Sequence, residues 1–387
     1  MGEWQRVQLG ELINIKHGYA FPGSAISTES SDEILVTPGN FNYGGGFKLG
    51  KLKYFHDAAP SDYVLRTGDL VVTMTDLSKE TDTLGYSAKI PNLPNKRFLH
   101  NQRIGLVTSI SERADLNFLY WVMRTNSYQG FIAGSATGMS VMHTSPTTIR
   151  SYEFEMPPLP EQQAIAEILS SLDDKIDLLH RQNKTLESLA QTLFRQWFIE
   201  EAEDSWEMGK LGDVISIYDS KRIPVSAMER DKMKGGDLYP YYGAASIMDF
   251  VNDYIFDGEY LLMGEDGTVQ TEDGKPILQL PTGKFWVNNH AHVLQAKEPF
   301  TNYFLYIFLQ NTDISHAVTG AVQPKINQEN LKAIKFPIPQ KARVAEFVSI
   351  SNETWNKIKS TNKQIQSLTI VRDALLPKLM SGEVTLT

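Results

Sequence analysis

Residues 161–198 read EQQAIAEILSSLDDKIDLLHRQNKTLESLAQTLFRQWF and contain neither glycine nor proline. Apolar residues recur along this stretch at steps that alternate between four and three, which is the spacing of a coiled-coil seam. A helix of this length spans about 57 Å. The seam positions are Ile165, Leu169, Leu172, Ile176, Leu179, Asn183, Leu186, Ala190, Leu193 and Trp197. The stretch therefore predicts one strand of a coiled coil, which requires a partner helix.

A second stretch near the C-terminus repeats this pattern. Residues 340–384 read QKARVAEFVSISNETWNKIKSTNKQIQSLTIVRDALLPKLMSGEV, and a shift of 179 residues aligns the two stretches without a gap. The polar seam residue Asn183 then falls on Asn362, so we predict that these two asparagines fix the register of the helix pair. The second seam is less apolar, and Pro377 is expected to terminate or kink its helix.

Charge also favours pairing of the two helices. Residues 161–205 carry 10 acidic and 4 basic side chains, whereas residues 340–387 carry 4 acidic and 7 basic ones. The whole chain has 387 residues, no cysteine and a net charge of −9. It lacks a long apolar run and a signal-peptide pattern, so we expect a cytoplasmic protein without disulfides, thiolate metal sites or membrane spans.

The two segments that precede the long helices resemble each other. Gly68-Asp69 and Gly258-Glu259 each precede an apolar run, Asn101 matches Asn289, and Gly134 is matched with Gly320. The offset between matched residues falls from 202 to 179, as expected of duplicates that differ by deletions in loops. We therefore predict two related domains and two helices, with boundaries at 1–155, 156–203, 204–336 and 337–387.

Each domain is predicted to have an α+β fold built on a twisted, partly closed sheet. Short β-branched runs indicate strands at Leu70–Met74, Ile104–Ile110, Tyr260–Met263 and Val293–Gln295. One helix per domain is expected, at Asn117–Thr125 and Asn302–Gln310.

Motifs for catalysis are missing or incomplete. The segment Pro281–Lys284 is too short for a phosphate-binding loop and is interpreted as a hairpin turn. The segment Tyr239–Tyr242 only weakly resembles a methyltransferase catalytic loop. His290 and His292 are expected on one strand face, where a structural role is favoured over metal binding because no third ligand is nearby in sequence. Asp173 and Asp174 are interpreted as a solvated helix face.

Polar and aromatic loop residues remain, of the types that read base edges in a DNA major groove. For any single one of them, an ordinary polar loop is the simpler explanation, and the hypothesis rests on their repetition in two domains. The candidate DNA-binding residues are Lys16, His17, Tyr19, Asn40, Asn42, Lys79, His100, Asn101, Arg103, Thr137, Ser140, His143, Lys221, Arg222, Tyr241, Tyr242, Asn288, Asn289, His290, Gln323, Lys325 and Asn327. No catalytic residue and no metal ligand is predicted.

The chain as a whole resembles the specificity subunit of type I restriction–modification systems. The resemblance is carried by PPLPEQQAIAEILSSLDDKID at 157–177, LFRQWF at 193–198, FPIPQKARVAEFV at 336–348 and LLPKLMSGEV at 375–384. The paired openings WQRVQLGELI and WEMGKLGDVI, with PYYGA and NNHAHVL in the second domain, also match. The second helix departs from the pattern, because Gln340-Lys341-Ala342 stands where the family has Glu-Gln-Gln.

The resemblance implies an antiparallel coiled coil with a recognition domain at each of its ends. It implies a non-catalytic subunit that binds double-stranded DNA and directs two copies of a DNA methyltransferase subunit to a split target, with the helices setting the gap. We expect no cofactor in this chain, S-adenosylmethionine on the methyltransferase subunits, and ATP and Mg²⁺ on a restriction subunit where one joins. In an antiparallel pair, Asn183 and Asn362 need not touch directly but are expected near the same central layer.

Two alternatives remain open at this point. The chain could serve as the specificity subunit of another restriction–methylation type, which only its partner would reveal. It could also be a coiled-coil scaffold whose domains bind protein, which predicts no sequence preference on DNA. A stand-alone methyltransferase or nuclease is disfavoured by the missing cofactor and metal motifs.

Overall fold

The computed structural model describes residues 4–76, 81–320 and 322–384. They form two compact units, of which unit 1 covers Met1–Leu178 with Ile365–Thr387 and unit 2 covers Leu179–Gln364. The border between the units falls inside both long helices, α4 at Leu159–Arg195 and α9 at Lys341–Met380. A π-helical turn, Gln196–Glu200, continues α4. Each unit thus contains one globular domain and a stretch of each long helix.

Unit 1 contains the first domain, which is built from short strands and three short helices within its described residues. The helices are α1 at Leu116–Val122, α2 at Asn126–Gly134 and α3 at Pro146–Arg150. The strands are β1 Gln5–Gln8, β2 Ile13–His17, β3 Ile26–Ser27, β4 Glu33–Val36, β5 Lys53–Phe55, β6 Val64–Leu65, β7 Leu70–Thr73, β8 Thr75–Asp76, β9 Ser87–Lys89, β10 Arg97–His100, β11 Ile104–Ser109, β12 Met142–His143 and β13 Glu153–Met156.

Unit 2 contains the second domain, which is shorter. Its helices are α5 at Leu211–Val214, α6 at Ala227–Lys232, α7 at Asn302–Gln310 and α8 at Gln328–Ala333. The strands are β14 Glu207–Lys210, β15 Ile215–Ile217, β16 Tyr239–Tyr242, β17 Ile247–Val251, β18 Phe256–Glu259, β19 Leu261–Gly264, β20 Leu278–Gln279, β21 Thr282–Val287, β22 Ala291–Ala296 and β23 Lys335–Ile338.

The two domains share a common topology, to which the first domain adds the strand β3 and the strand pair β8–β12. The sheet β2-β11-β7-β9 in the first domain corresponds to β15-β22-β19-β20 in the second. The sheet β3-β5-β4-β10-β6 corresponds to β17-β16-β21-β18, with the parallel pair β4–β10 matched by β16–β21. A two-stranded sheet pairs the start of each domain with its end, as β1–β13 and β14–β23. Two domains with the same strand order and the same single parallel pairing are expected of a duplicated sequence.

Within each unit, the stretches of α4 and α9 run antiparallel. In unit 1, Asp173 pairs with Arg372. In unit 2, Asn183 pairs with Asn362, and Glu201 pairs with Arg343. Partner numbers fall along α9 as they rise along α4, which is the pattern of an antiparallel pair. The two asparagines contact each other directly, whereas the sequence argument required only that they lie in the same layer.

Both domains pack on the helix pair through buried apolar residues, and in unit 1 these lie on the predicted seam. In unit 1, Ile165 and Leu169 of α4 join a core that also contains Trp121 and Leu379. Leu169 is fully buried, and truncating such a leucine to alanine costs about 2–5 kcal/mol.

Aromatic rings carry the equivalent packing in unit 2. There the buried residues are Phe194 and Phe198, each one position beyond the predicted seam residues Leu193 and Trp197, which are only half-buried. The ring centroids of Phe194 and Phe304 lie 5.4 Å apart, and those of Phe198 and Phe347 lie 5.2 Å apart, both with T-shaped geometry. Edge-to-face contact is a preferred arrangement of aromatic pairs. The second domain is therefore anchored to its helix pair by a cluster of rings.

Two secondary-structure expectations were wrong. Each domain has several helices within its described residues rather than one. Of the missed helices, α3, α5, α6 and α8 have at most six residues each and are too short to show a clear helical period. The segment Pro281–Lys284 is not a hairpin turn, since β21 begins at Thr282 and pairs with β18 across Gly258 and Gly283. Strand pairing supplied by a distant segment overrode the local turn signal of proline and glycine.

Two further details differ from the sequence argument. Pro377 does not terminate α9, which continues for three more residues to Met380. Gly320 corresponds to Gly138 rather than to Gly134, because equivalent bridges join Thr137 to His143 and Thr319 to Lys325. Sequence matching missed this offset because the residues between the bridged positions differ in the two copies.

Candidate nucleic-acid interface

Four loops of the first domain meet at one end of the sheet β2-β11-β7-β9. We call this surface the first polar edge, and it consists of His17–Tyr19, Thr75–Asp76, Asn101–Arg103 and Thr137–His143. The last loop lies at this end because its strand β12 pairs with β8, which follows β7 in the chain. Segments that lie far apart in sequence thus form one surface.

Backbone hydrogen bonds hold the first polar edge together. The amide of Gln102 donates to the carbonyl of Tyr19 at 2.9 Å, and the amide of Met74 donates to the carbonyl of Arg103 at 2.9 Å. The amide of Thr144 in turn donates to the carbonyl of Met74 at 3.1 Å. Because the loops are tied through the main chain, their side chains can vary without loss of the scaffold.

Glycine is required where two of these loops touch. A Cβ atom on Gly18 would lie 2.0 Å from the carbonyl oxygen of Asn101. Such a distance is far below van der Waals contact, so a larger residue would push the two loops apart.

The second domain has an equivalent surface at the end of the sheet β15-β22-β19-β20. We call it the second polar edge, and it consists of Tyr218–Arg222, Gly264–Asp266, Asn288–His290 and residues 319–320 with 322–325. The amide of Glu265 donates to the carbonyl of His290 at 2.8 Å. The side-chain amide of Gln323 donates to Oδ1 of Asp266 at 2.8 Å. The same four structural positions therefore supply both edges.

Most of the predicted DNA-binding residues are accessible. Lys79 lies outside the described residues, and Asn101, Arg222 and Tyr242 are half-buried. The exposed ones are Lys16, His17, Tyr19, Asn42, Arg103, Thr137, Ser140, His143, Lys221, Asn289, His290, Gln323, Lys325 and Asn327.

Two of these exposed residues have positions that the sequence did not indicate. Asn42 belongs to a separate loop, in which Gly46 donates to the carbonyl of Ser87 at 2.9 Å. Lys16 stands beside the first polar edge, where its ammonium donates to the carbonyl of Asp62 and lies 4.7 Å from the centre of the Tyr63 ring.

Four predicted DNA-binding residues are instead buried, which contradicts a role in direct base contact. They are Asn40, His100, Tyr241 and Asn288, with at most 5% of each exposed. Nε2 of His100 lies 2.8 Å from the carbonyl oxygen of Ile104. Burial lowers the pKa of this histidine.

The other three buried residues satisfy backbone groups of the loops. Oδ1 of Asn40 accepts from the amide of Thr37 at 2.8 Å, and the hydroxyl of Tyr241 accepts from the amide of Val225 at 3.1 Å. Asn288 accepts from the backbone two residues ahead. A polar residue in a loop often serves the loop itself, and sequence cannot distinguish this inward role from an outward one.

Arg222 belongs to a buried ion cluster behind the second polar edge. Its guanidinium contacts Glu265 and lies 3.6 Å from Asp219. Nδ1 of His292 lies 2.7 Å from Asp219, so the structure does bring carboxylates to the histidine, contrary to the sequence argument that no third ligand was near. Burial raises the pKa of Asp219, but the hydrogen bond from His292 and the charges of His292 and Arg222 outweigh burial and lower it.

The arrangement in this cluster favours a structural role over a metal centre. Nε2 of His292 lies 2.8 Å from the carbonyl oxygen of Ile326, so both ring nitrogens face oxygen acceptors. A metal ligand needs a free ring lone pair. The Arg222 guanidinium already supplies the positive charge that would draw a cation to the carboxylates. His290 lies just before β22 and is exposed, so the two histidines do not form a pair on one strand face.

Asp173 is not part of a solvated face, which corrects the sequence interpretation. Its carboxylate lies 2.6 Å from Nη1 of Arg124 in the first domain. The same carboxylate also pairs with Arg372 of α9. Burial raises the pKa of Asp173, but the two guanidiniums outweigh burial and hold the pKa below its ordinary value. Asp174 remains exposed, as predicted. The first domain and both helices of unit 1 therefore share one ion cluster.

The contacts of Gln162 give a structural role to one residue of the motif at 157–177. Its side chain is fully buried and accepts from the amide of Asp115 at 2.9 Å, while it donates to the carbonyls of Arg113 and Pro157. It thus fastens the start of α4 to the first domain. Lys341 occupies the matched position at the start of α9, and a lysine side chain has no amide group that could form these bonds.

A family model described as the type I restriction modification DNA specificity domain matches residues 1–188 and again residues 203–369. The chain belongs to this family. The duplicate match agrees with the repeated topology of the two domains. Membership confirms the resemblance that the helix motifs predicted.

Curated members of the specificity family include several similar chains. The MjaIX specificity subunit of Methanocaldococcus jannaschii is 25% identical over 69% of this chain and 68% of that protein. The MjaVIII specificity subunit of the same organism is 22% identical over 99% of this chain and 93% of that protein. A putative specificity subunit of Haemophilus influenzae, S.HindORF215P, is 36% identical over 41% of this chain, which spans 39% of that protein.

A solved member of the specificity family has the same fold. The type I restriction–modification S subunit from M. genitalium superposes with a TM-score of 0.59, covers 99% of this chain and 97% of its own, and is 18% identical. This likeness confirms the predicted α+β fold class. Because the relatives are specificity subunits, the prediction of a non-catalytic specificity subunit is also confirmed. Of the helices in the described ranges, none has the length and apolar composition needed to cross a bilayer.

Proposed function

We propose that this specificity-family chain recognises a bipartite target in double-stranded DNA. In this proposal the first polar edge reads one half-site and the second polar edge reads the other. The observation that carries the proposal is the repetition of the edge. Two domains of one topology present polar loops at equivalent ends of equivalent sheets, and family membership supports DNA as their ligand. Polar side chains on a rigid scaffold are suited to reading base edges.

The partners are those that resemblance to the specificity family implies, and the charge of the chain suggests how DNA contacts are divided among them. With a net charge of −9, this chain supplies little of the phosphate attraction that dominates DNA affinity. We therefore propose that two methyltransferase subunits, each with S-adenosylmethionine, provide most of the phosphate contacts and the chemistry. A restriction subunit with ATP and Mg²⁺ would join the same assembly in a nuclease form.

The long helices are proposed to set the gap between the half-sites. Each helix passes through both compact units, and a continuous helix has a fixed rise of about 1.5 Å per residue. A spacer of this kind resembles the fixed half-site spacing of dimeric DNA-binding proteins.

The decisive experiment is to co-express this chain with its methyltransferase partner and to map methylated bases by modification-sensitive sequencing. We expect a split motif with a fixed gap. Exchange of residues 1–155 for those of a relative with another target should change one half of the motif only.

Three results would contradict the proposal or one of its parts. A contiguous motif would mean that the duplicated edges do not read separate half-sites. A stable complex without any methylation would favour the protein-binding scaffold. A chain that binds its site alone as tightly as the full assembly, with steep salt dependence, would refute the assignment of phosphate contacts to the partners.

A further inference from the structure

A solvent-exposed apolar surface lies in unit 2 where the first long helix ends. Ile199, on the π-helical turn after α4, is 48% exposed, and Met208 on β14 is 61% exposed. Met208 stands directly opposite Pro337 of β23, so these two side chains lie on the same face of the two-stranded sheet. Ile199 and Pro337 both line one cavity. The three side chains therefore form one surface, which we call the apolar patch.

The cavity beside the apolar patch has space for a side chain of a binding partner. Its volume is about 100 Å³, and its walls include the rings of Phe308 and Phe336 together with Pro339. Asn311 and Thr312 are its polar lining residues. A cavity of about 150 Å³ that is lined by apolar side chains accommodates a benzene molecule. This cavity therefore has room for a single bulky apolar side chain.

The first domain has a charged pair where the second domain has part of the apolar patch. In the pairing of β1 with β13, Arg6 stands opposite Glu155. These two residues occupy the places that Met208 and Pro337 take in the pairing of β14 with β23. Arg6 also forms an ion pair with Glu153 at 2.6 Å. The charged pair shows that this strand pairing does not need apolar side chains at these positions, so those of the second domain serve a purpose other than folding.

Acidic residues surround the apolar patch. Residues 196–208 carry five acidic side chains and no basic one. Two of the five carboxylates pair with arginines, which leaves three without a basic partner in the parts of the chain that the structure describes. Glu203 accepts a hydrogen bond of 3.1 Å from Gln340, the residue after Pro339, so a carboxylate lies beside the cavity.

The charge of these surroundings selects among possible occupants. An acidic rim repels DNA phosphates, and it also repels the same acidic rim on a second copy of this chain. Exposed apolar side chains within a polar rim mark sites of protein interaction. The occupant with complementary chemistry is therefore a protein segment in which a bulky apolar side chain stands between basic residues.

We propose that the apolar patch docks one of the two methyltransferase subunits, through an apolar side chain that enters the cavity and basic residues that flank it. This proposal rests on the proposed function, which supplies the methyltransferase subunits as protein partners. The two subunits are identical, whereas the matched positions of the two domains are apolar in one and charged in the other. One methyltransferase subunit therefore binds this chain more tightly, and it is the one that contacts the second domain.

The test titrates the purified methyltransferase subunit onto the full chain and follows assembly by native mass spectrometry. The populations of chains with one and with two bound subunits give two dissociation constants. Met208→Arg introduces the side chain that the first domain has at the matched position, and Ile199→Gln replaces the other exposed apolar side chain with a polar one. Met228→Arg is the matched control, because Met228 is 73% exposed but lies on α6.

The unmodified chain is expected to show two unequal constants. Met208→Arg and Ile199→Gln should each weaken the tighter constant about tenfold, because each removes an apolar side chain from the contact. The weaker constant and the melting temperature should stay unchanged, and Met228→Arg should leave both constants unchanged. Benzoylphenylalanine in place of Ile199 should cross-link on irradiation to a methyltransferase peptide that has an apolar residue between basic ones.

Several results would overturn the proposal while the proposed function stands. The patch variants could leave both constants unchanged or weaken the two equally, or the unmodified chain could show two equal constants. A cross-link from position 199 to a second copy of this chain would identify a different occupant, and the absence of any cross-link would mean that the patch is not covered. Failure of the methyltransferase subunit to bind the unmodified chain at all is a different result, and it contradicts the proposed function.

Discussion

Asn183 donates a hydrogen bond to Asn362, with 2.8 Å between Nδ2 and Oδ1. The two residues occupy matched positions of the repeated helices, and Oδ1 of Asn183 is buried without a partner. Asn183 is buried whereas Asn362 is exposed, and a half-satisfied buried amide costs stability and restricts the register of the helices. This contact therefore favours one alignment of the helix pair over others.

Changing Asn362 alone should be worse than changing both asparagines. Asn362→Leu leaves the buried amide of Asn183 unpaired, which should lower the unfolding free energy by about 1–3 kcal/mol. Asn183→Leu combined with Asn362→Leu should restore or exceed the original stability. Thermal unfolding of the full chain measures both, with Gln366→Leu on the exposed face of α9 as the control. A double variant less stable than either single one would exclude this explanation.

Asp173 should stabilise unit 1 at neutral pH. Asp173→Asn leaves Arg124 and Arg372 without their shared carboxylate, and the expected loss is about 3 kcal/mol, the lower end for a buried pair because the carboxylate is 22% exposed. Asp174→Asn, one residue away and exposed, should change the melting temperature little.

The effect of Asp173 should also depend on pH. Its pKa is lowered in the folded chain, so its contribution is complete above the unfolded value of about 4 and is lost as pH falls through the folded value. The difference between Asp173→Asn and the unmodified chain should be constant from pH 5 to 8 and should shrink below pH 4. Melting curves across this range provide the test, and a difference that grows toward acid would refute it.

The cluster around His292 should depend on Arg222 and not on a metal. Arg222→Met leaves Asp219 and Glu265 facing each other without the guanidinium, and we expect a clear fall in melting temperature. Lys221→Met, a change of the same kind at an exposed neighbour, should have little effect. Added Zn²⁺ should leave the melting temperature of the unmodified chain unchanged. A saturable rise with Zn²⁺ would instead establish a metal site.

Arg103, an exposed residue of the first polar edge, and His100, a buried residue just before that edge, should respond differently to truncation. Arg103→Ala is expected to weaken target binding by about 1–3 kcal/mol with little change in stability. His100→Ala is expected to destabilise the domain, because it removes a buried side chain that contacts the backbone of Ile104. Binding by the assembled complex and melting of the chain are measured for both. Equal losses of stability in the two variants would contradict the assignment.

Insertion of a heptad tests the role of the helices as a spacer. Seven residues added to α4 and seven to α9, opposite each other, preserve the seam and lengthen the pair by about 10 Å. The unread gap of the mapped motif should lengthen by about three base pairs while both half-sites persist. Insertion into α4 alone is the control, and it should disrupt the pair. An unchanged gap in the doubly extended chain would remove the spacer role from the helices.

The long helices and the duplication could be predicted from sequence because both are repetitive signals. The four–three spacing from Ile165 to Trp197 needs no knowledge of distant residues, and the shift of 179 residues is visible without structure. The strands around Leu70 and Ile104 were also found, since β-branched runs bounded by turn residues are local patterns. Helices of four to six residues, such as α3 and α5, were missed because one or two turns have no detectable period.

What the sequence determined, then, is the kind of each long element, the repetition of the domains and the family. The tertiary structure decided which polar residues face solvent and which serve the fold. Asp173 and Arg372 are separated by 199 residues, and Asp219 and His292 by 73. Local sequence does not indicate such partners. Asp173 was therefore interpreted as solvated and His100 as a DNA-binding residue. The physical reason is that a polar side chain is directed by whichever unpaired group the fold places beside it, and that neighbour is supplied by a distant part of the chain.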